Sequence, residues 1–205
     1  MDATGAFPGT EAQLRARLDA ATVAIIGCGG LGSNAAAMLL RSGVRSLVLI
    51  DFDRVEESNL NRQLFFRDQL GRPKTEALAE TLLRIDPEAR LTLVTQKMDA
   101  LCLADVVRGA DVIIEAVDTA EGKAMIAGSC SDAFPDVPLI SASGLAGDGP
   151  ANEIVTQRIG EDFYLVGDLT SDVRDGLPLL ASRVMVAAAH EAHAAIRCIL
   201  GLPGA

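Results

Sequence analysis

Apolar residues follow two alternating rhythms along this chain: short runs of β-branched and aliphatic residues, and longer stretches in which they recur three and four apart. The short runs, Val23 to Ile26, Ser46 to Ile50, Leu91 to Thr95, Val112 to Ala116 and Leu139 to Ala142, predict strands, the first of them covered on both faces. Helices are predicted between them at Glu11 to Leu18, Leu31 to Leu40, Lys74 to Ile85, Leu101 to Val107, Glu121 to Ala133 and Ser182 to Leu200. Ala77, Leu78, Leu82 and Ile85 show the helical spacing most clearly. Punctuation agrees with this division. Gly43, Asp86-Pro87 and Gly201 with Pro203 stop helices, and Pro73 suits a first helical turn. Near the end, Ile154 to Arg158 and Phe163 to Val166 flank a polar turn containing Gly160 and predict an antiparallel hairpin. The expected architecture is α/β: a mostly parallel sheet with helices on both faces and a C-terminal antiparallel extension.

Composition narrows this picture. At 205 residues with no Pro/Ser-rich linker, one domain over 1–205 is expected, with 1–20 as an N-terminal segment and helix. Aromatics are only 3% and Trp is absent, so Ala, Val, Leu and Ile must build the core. Eighteen Lys and Arg against 28 Asp and Glu leave a net charge of −10, which argues against a nucleic-acid-binding surface. Cys28, Cys102, Cys130 and Cys198 are scattered with no CxxC pair, as suits a reducing compartment, and no zinc is expected. The start MDATGAFPGTEAQ lacks a basic segment followed by an apolar core, and no apolar run reaches membrane-spanning length. A cytoplasmic protein is expected.

The first chemical signal lies between the first strand and the next helix. Gly27, Gly29, Gly30 and Gly32 follow Ile26 in GCGGLGSN. Glycines there let the chain turn tightly and let backbone N–H groups approach a phosphate at the positive end of the helix. Asp51 ends the second strand, where a carboxylate accepts hydrogen bonds from a ribose hydroxyl pair. This is a Rossmann-like nucleotide site, and these features alone favour a nicotinamide oxidoreductase or a redox-sensing module. The segment from Asp51 to Lys74, DFDRVEESNLNRQLFFRDQLGRPK, shifts the balance towards ATP. It returns Asn59, Arg62 and Lys74 towards the phosphates, with Ser58 in the same stretch. Arg62 can fork onto phosphate oxygens and Lys74 can act as a compact charge, which suits a triphosphate being cleaved. Asp118, just past the fourth strand, can hold magnesium or can cap the helix that follows, as can Thr119. Asp53 either supports that metal or braces the loop.

Taken together, GCGGLGSN, DFDRVEESNLNRQ, GRPKTEAL and the Asp118 strand end resemble the ThiF/HesA/MoeB family of ubiquitin-activating-like adenylyltransferases. SASGLAGDGPANEI, YLVGD and LLASRVMVAAAHEAHAAIRCILG extend the resemblance and are similar to its short ThiF-type members. The resemblance implies that Gly30 and Asp51 hold adenosine, that Asn59, Arg62 and Lys74 address the triphosphate, and that Asp118 carries Mg2+. It also implies a homodimer that adenylates the C-terminal carboxylate of a small ubiquitin-like sulfur carrier ending in Gly-Gly. Serving that family's reaction, the loop SGLAGDGP and the hairpin would receive the carrier's tail. A molybdopterin-type carrier or a modified tRNA base is an alternative substrate, and a non-catalytic ATP-binding scaffold a further reading. Two departures stand out. No cysteine lies between Ile140 and Arg183 for a covalent sulfur step, and Thr119 and Lys123 stand where relatives often have Asn and Arg.

Overall fold

A computed structural model describes residues 6–204; residues 1–5 of the expected N-terminal segment, and Ala205, lie outside the described residues. The chain begins with α1 (Glu11–Ala20), whose Thr10 and Gln13 form a capping box. Strand β1 (Thr22–Ile26) follows, then α2 (Gly30–Arg41), β2 (Ser46–Ile50), α3 (Lys74–Ile85) and β3 (Arg90–Val94). The second half runs α4 (Ala100–Val106), β4 (Val112–Glu115), α5 (Ala120–Ala133) and β5 (Leu139–Ala142). It closes with β6 (Val155–Arg158), β7 (Phe163–Gly167) and α6 (Ala181–Ile199).

The strands form one sheet in the order β3-β2-β1-β4-β5-β7-β6, parallel throughout except for the β6–β7 pair. Strand order runs outward from β1 to β3, then restarts beside β1 at β4. Reversal of direction changes the face on which the crossover helices lie, because each crossover keeps the same hand. Accordingly α1, α2, α3 and α6 share one apolar layer with Ile25, Leu49 and Ile114. The other layer holds α4 and α5 against Ala24, Ile26 and Ile113. Alternate residues of β1 and β4 serve opposite layers, which is why residues 23–26 and 112–114 are continuously apolar. The closest helix pairing is α2 with α6, made possible by Ala35, Ala36, Ala187, Ala188, Ala194 and Ala195.

Predicted elements are present with small shifts at their ends. Pro73 precedes α3 at its N-cap instead of entering the first turn. The hairpin is more than an appendage, because β7 also pairs in parallel with β5 and extends the main sheet. Among the described residues, four short 3-10 turns, at Glu57–Asn59, Arg67–Gln69, Ala151–Glu153 and Val173–Asp175, add order to the connecting segments.

Candidate nucleotide site

At the point where strand order reverses, the carboxyl ends of β1 and β4 border a crevice, the usual ligand position in an open α/β sheet. Gly27 turns the chain there with φ +98, and a Cβ on it would stand 2.6 Å from the Ala116 carbonyl oxygen. Gly32 is equally constrained: its Cβ would lie 1.8 Å from the Gly27 oxygen. The two glycines therefore let the loop fold back on the helix it starts. Gly29 is the N-cap of α2 and has no side-chain cap. Among the described residues no protein acceptor meets the N–H groups of Gly29, Gly30 and Leu31. This row of free donors at the positive end of a helix fits a phosphate.

Asp51 is buried at the end of β2 and braces this loop. Its Oδ2 accepts the Cys28 N–H at 2.7 Å and its Oδ1 accepts the Asp53 N–H at 2.8 Å. Two backbone donors thus already engage the carboxylate that the sequence assigned to the ribose, and its remaining lone pairs are what a sugar would meet. The Asp51 to Lys74 segment folds back onto α2. Asn34 donates to the Gly30 oxygen at 2.6 Å and to the Arg62 oxygen at 3.0 Å, while Ser33 accepts the Leu64 N–H at 3.0 Å. Arg62 consequently lies alongside Gly30, its Cγ 3.5 Å from the position of a Gly30 Cβ. Its guanidinium donates to the Ser58 oxygen at 3.1 Å and to Asn61 Oδ1 at 2.8 Å. Asn59 is buried and accepts the Glu56 N–H at 3.0 Å, so it shapes the turn that delivers Arg62.

Lys74 is only 7% exposed, and its Nζ pairs with Asp53 Oδ2 at 2.8 Å. Asp53 also accepts the Lys74 N–H at its carbonyl oxygen, at 2.9 Å, and so ties the two ends of the segment together. Lys74 lies near the glycine loop: burial and Asp51 raise the Cys28 thiol pKa well above its ordinary value, while Lys74 lowers it.

The β4 side is less interlocked. Asp118 is exposed, and among the described residues its carboxylate has no hydrogen-bond or ion-pair partner. The cap of α5 is Thr119, whose hydroxyl accepts the Gly122 N–H at 3.2 Å. Thr119 thus takes the capping role that both residues could fill, and its oxygen satisfies a helix end. Lys123 reaches Glu115, with Nζ 3.0 Å from both carboxylate oxygens, and Ser141 donates to the same carboxylate. A single free carboxylate fits magnesium, which takes one or two protein carboxylates and completes its shell with phosphate and water. No group of three or more His, Cys, Asp or Glu able to hold a metal occurs among the described residues.

Several other reactive or charged side chains have structural partners or are buried. Cys130 is buried, and burial raises its thiol pKa to about 11. His190 Nδ1 lies 2.9 Å from the Thr156 hydroxyl, joining α6 to the hairpin. Arg15 pairs with Glu11 on the exposed face of α1, and Arg17 stacks over Phe7. Sequence reasoning passed over Ser33, Asn34 and Gln63. Gln63 is buried beside Gly29, and its Oε1 has no partner. The available signal was a Ser-Asn pair directly after the glycine loop, in a helix otherwise apolar up to Arg41.

A model of the ThiF family matches residues 3–202. The chain belongs to the ThiF family. Molybdopterin-synthase adenylyltransferase of Salmonella typhimurium is 33% identical to this ThiF-family chain over 159 residues, 77% of this chain and 61% of that protein. Sulfur carrier protein ThiS adenylyltransferase of Escherichia coli is 38% identical over 128 residues, covering 62% and 50%. The chain thus spans between half and two thirds of the length of these curated relatives. Among solved structures, E. coli tRNA N6-threonylcarbamoyladenosine dehydratase in complex with ATP superposes with a TM-score of 0.83 at 24% identity, covering 93% of this chain and 90% of that one. E. coli MccB with ATP gives 0.73 at 25% identity, covering 93% and 59%. The ThiF-family fold is therefore present across the sheet and both helical layers.

Proposed function

We propose that this protein is an ATP-dependent adenylyltransferase acting on the C-terminal carboxylate of a small ubiquitin-like sulfur carrier ending in Gly-Gly. One observation carries the reading: the free N–H row of Gly29 to Leu31 stands beside Arg62, and Lys74, which closes the same returning segment, acts electrostatically on the adjoining Cys28. A diphosphate is neutralised by the helix end alone, whereas departing pyrophosphate develops charge that added cations stabilise. Adenylyltransferases for ThiS and for molybdopterin synthase among the relatives support a carrier as substrate.

In this account the N–H row, Arg62, Lys74 and buried Asn59 with Ser58 hold the triphosphate and its turn, and Asp51 orders the loop under the ribose. Asp118 would hold Mg2+, which neutralises phosphate charge when bound. The carrier's carboxylate oxygen attacks the α-phosphorus, the Pα–O bond to the β-phosphate breaks, and carrier acyl-adenylate and pyrophosphate result. No side-chain nucleophile is required, and the buried thiols of Cys28 and Cys130 offer none. A ThiS-like carrier of the thiamine pathway, a homodimer and a cytoplasmic setting belong to this proposal.

A relative named tRNA threonylcarbamoyladenosine dehydratase, 35% identical over 77% of this chain, motivates a second substrate class. The net charge of −10 weighs against a tRNA. A substrate panel decides between them. Exchange of labelled pyrophosphate into ATP is expected with a ThiS-type or molybdopterin-type carrier and not with tRNA bearing threonylcarbamoyladenosine; exchange with the tRNA alone would reverse the assignment.

A further inference from the structure

Arg183 and Asp168 form an ion pair almost wholly withdrawn from water, with side-chain exposures of 4% and 7% and a separation of 2.5 Å. Buried pairs seldom raise stability over apolar replacements of the same size. What this one joins is more informative. Asp168 follows β7, and its Oδ1 accepts the N–H groups of Thr170 and Ser171, each at 2.8 Å. Arg183 lies in the first turn of α6 and donates from Nη1 to the carbonyl oxygens of Gly149 and, at 2.9 Å, Pro150. Those carbonyls end the glycine-rich loop 143–150 that leaves β5. The same loop is zipped to the turn after β7 by Asp168 N–H to Gly144 O at 3.0 Å. It packs so tightly that a Cβ on Gly144 would stand 2.1 Å from Asp168 Oδ1. Next to Arg183, Val184 presses on the phosphate loop, its Cγ1 2.9 Å from where a Gly30 Cβ would be. Burial opposes the Asp168 charge, yet the Ser171 and Thr170 N–H groups and the Arg183 guanidinium hold its carboxyl well below the usual carboxylate range.

A substrate tail ending in Gly-Gly offers an enzyme backbone groups and no side chains. Its recognition therefore depends on where the receiving backbone lies, and a loop rich in glycine does not hold its own position. We propose that Arg183 is a positioning residue for the acyl substrate: through the carbonyls of Gly149 and Pro150 it fixes loop 143–150 relative to the phosphate loop, so that the tail's carboxylate meets the α-phosphorus. The inference rests on the adenylation reading above and adds to it the element that places the second substrate.

The test uses the full chain with Arg183→Met, Arg183→Lys, Asp168→Asn and the double variant Asp168→Asn with Arg183→Met. Calorimetry gives the Kd for ATP, and pyrophosphate exchange gives the KM for a ThiS-type carrier. Arg183→Met should leave the Kd for ATP within about twofold and raise the carrier KM on the order of tenfold to a hundredfold. Lysine, a point charge without the fork, should restore part of it. The double variant removes the uncompensated buried charge and should melt near the wild type while keeping the raised KM. An unchanged carrier KM in the double variant, or equal losses for ATP and carrier, overturns the inference alone. Absence of carrier-dependent exchange in the wild type overturns the adenylation reading, and the inference with it.

Discussion

Asp118 and Thr119 are adjacent in the chain and opposite in chemistry. Thr119 closes a helix end, whereas Asp118 leaves a carboxylate in water at the crevice. Thr119→Ala should cost about 1 kcal/mol, lowering the melting temperature by roughly 2–4 °C, with the Kd for ATP unchanged. Asp118→Asn should leave melting in place and reduce pyrophosphate exchange on the order of a hundredfold, far more than it weakens ATP binding. Equal loss of exchange and binding would remove the metal role. Glu191 on α6 presents a third case: it is fully buried, and neither carboxylate oxygen has a partner. Burial, aided by Glu115, raises its pKa well above the ordinary 4.5. From that value upward the native state holds a proton the unfolded chain has released, so stability falls as pH rises through the window to the folded pKa. Glu191→Met should therefore stabilise by about 1–3 kcal/mol at pH 8 and by less at pH 4.5, as read from denaturant melts at both values. A gap that is constant with pH would mean the carboxyl is not protonated in the fold.

Elements show what a sequence can express and what it cannot. A continuous apolar run such as Val23 to Ile26 announced a strand because both its faces are covered by helices. The spacing of Ala77, Leu78 and Leu82 announced α3 because one face is buried. Parallel pairing of β7 with β5 was not legible, since nothing local to Phe163–Gly167 encodes a partner more than twenty residues upstream. Equally hidden were the roles within Asp51 to Lys74. The sequence marked this segment as polar and cationic. It did not reveal that Asn34 and Ser33 of α2 would anchor it, that Lys74 would be buried against Asp53, or that both Asp51 oxygens would brace the loop. Such contacts join residues far apart in the chain, and residue type alone names a donor without naming its acceptor. The three acceptors of the Arg183 guanidinium were hidden for the same reason, although its neighbourhood had been marked as the place for a substrate tail.

At the scale of the molecule, one feature organises the chemistry. Strand order reverses between β1 and β4, and the glycine loop, the Asp51 to Lys74 segment, Asp118 and the first turn of α6 all emerge at that end of the sheet. The free N–H row, Arg62 and Lys74 come from the first half of the chain. The loop pinned by Arg183 follows β5, on the other side of β4 from β1 and β2. Among the described residues no helix is long and apolar enough to cross a membrane. The acidic charge of the whole suits a small protein partner better than a nucleic acid. The most direct test of the adenylation account is the exchange of labelled pyrophosphate into ATP with a ThiS-type carrier, intact and lacking its terminal Gly-Gly. Exchange supported by the intact carrier and lost on truncation is the predicted result. Exchange indifferent to the truncation, or no exchange with any carrier while NADH binds tightly, would contradict the account.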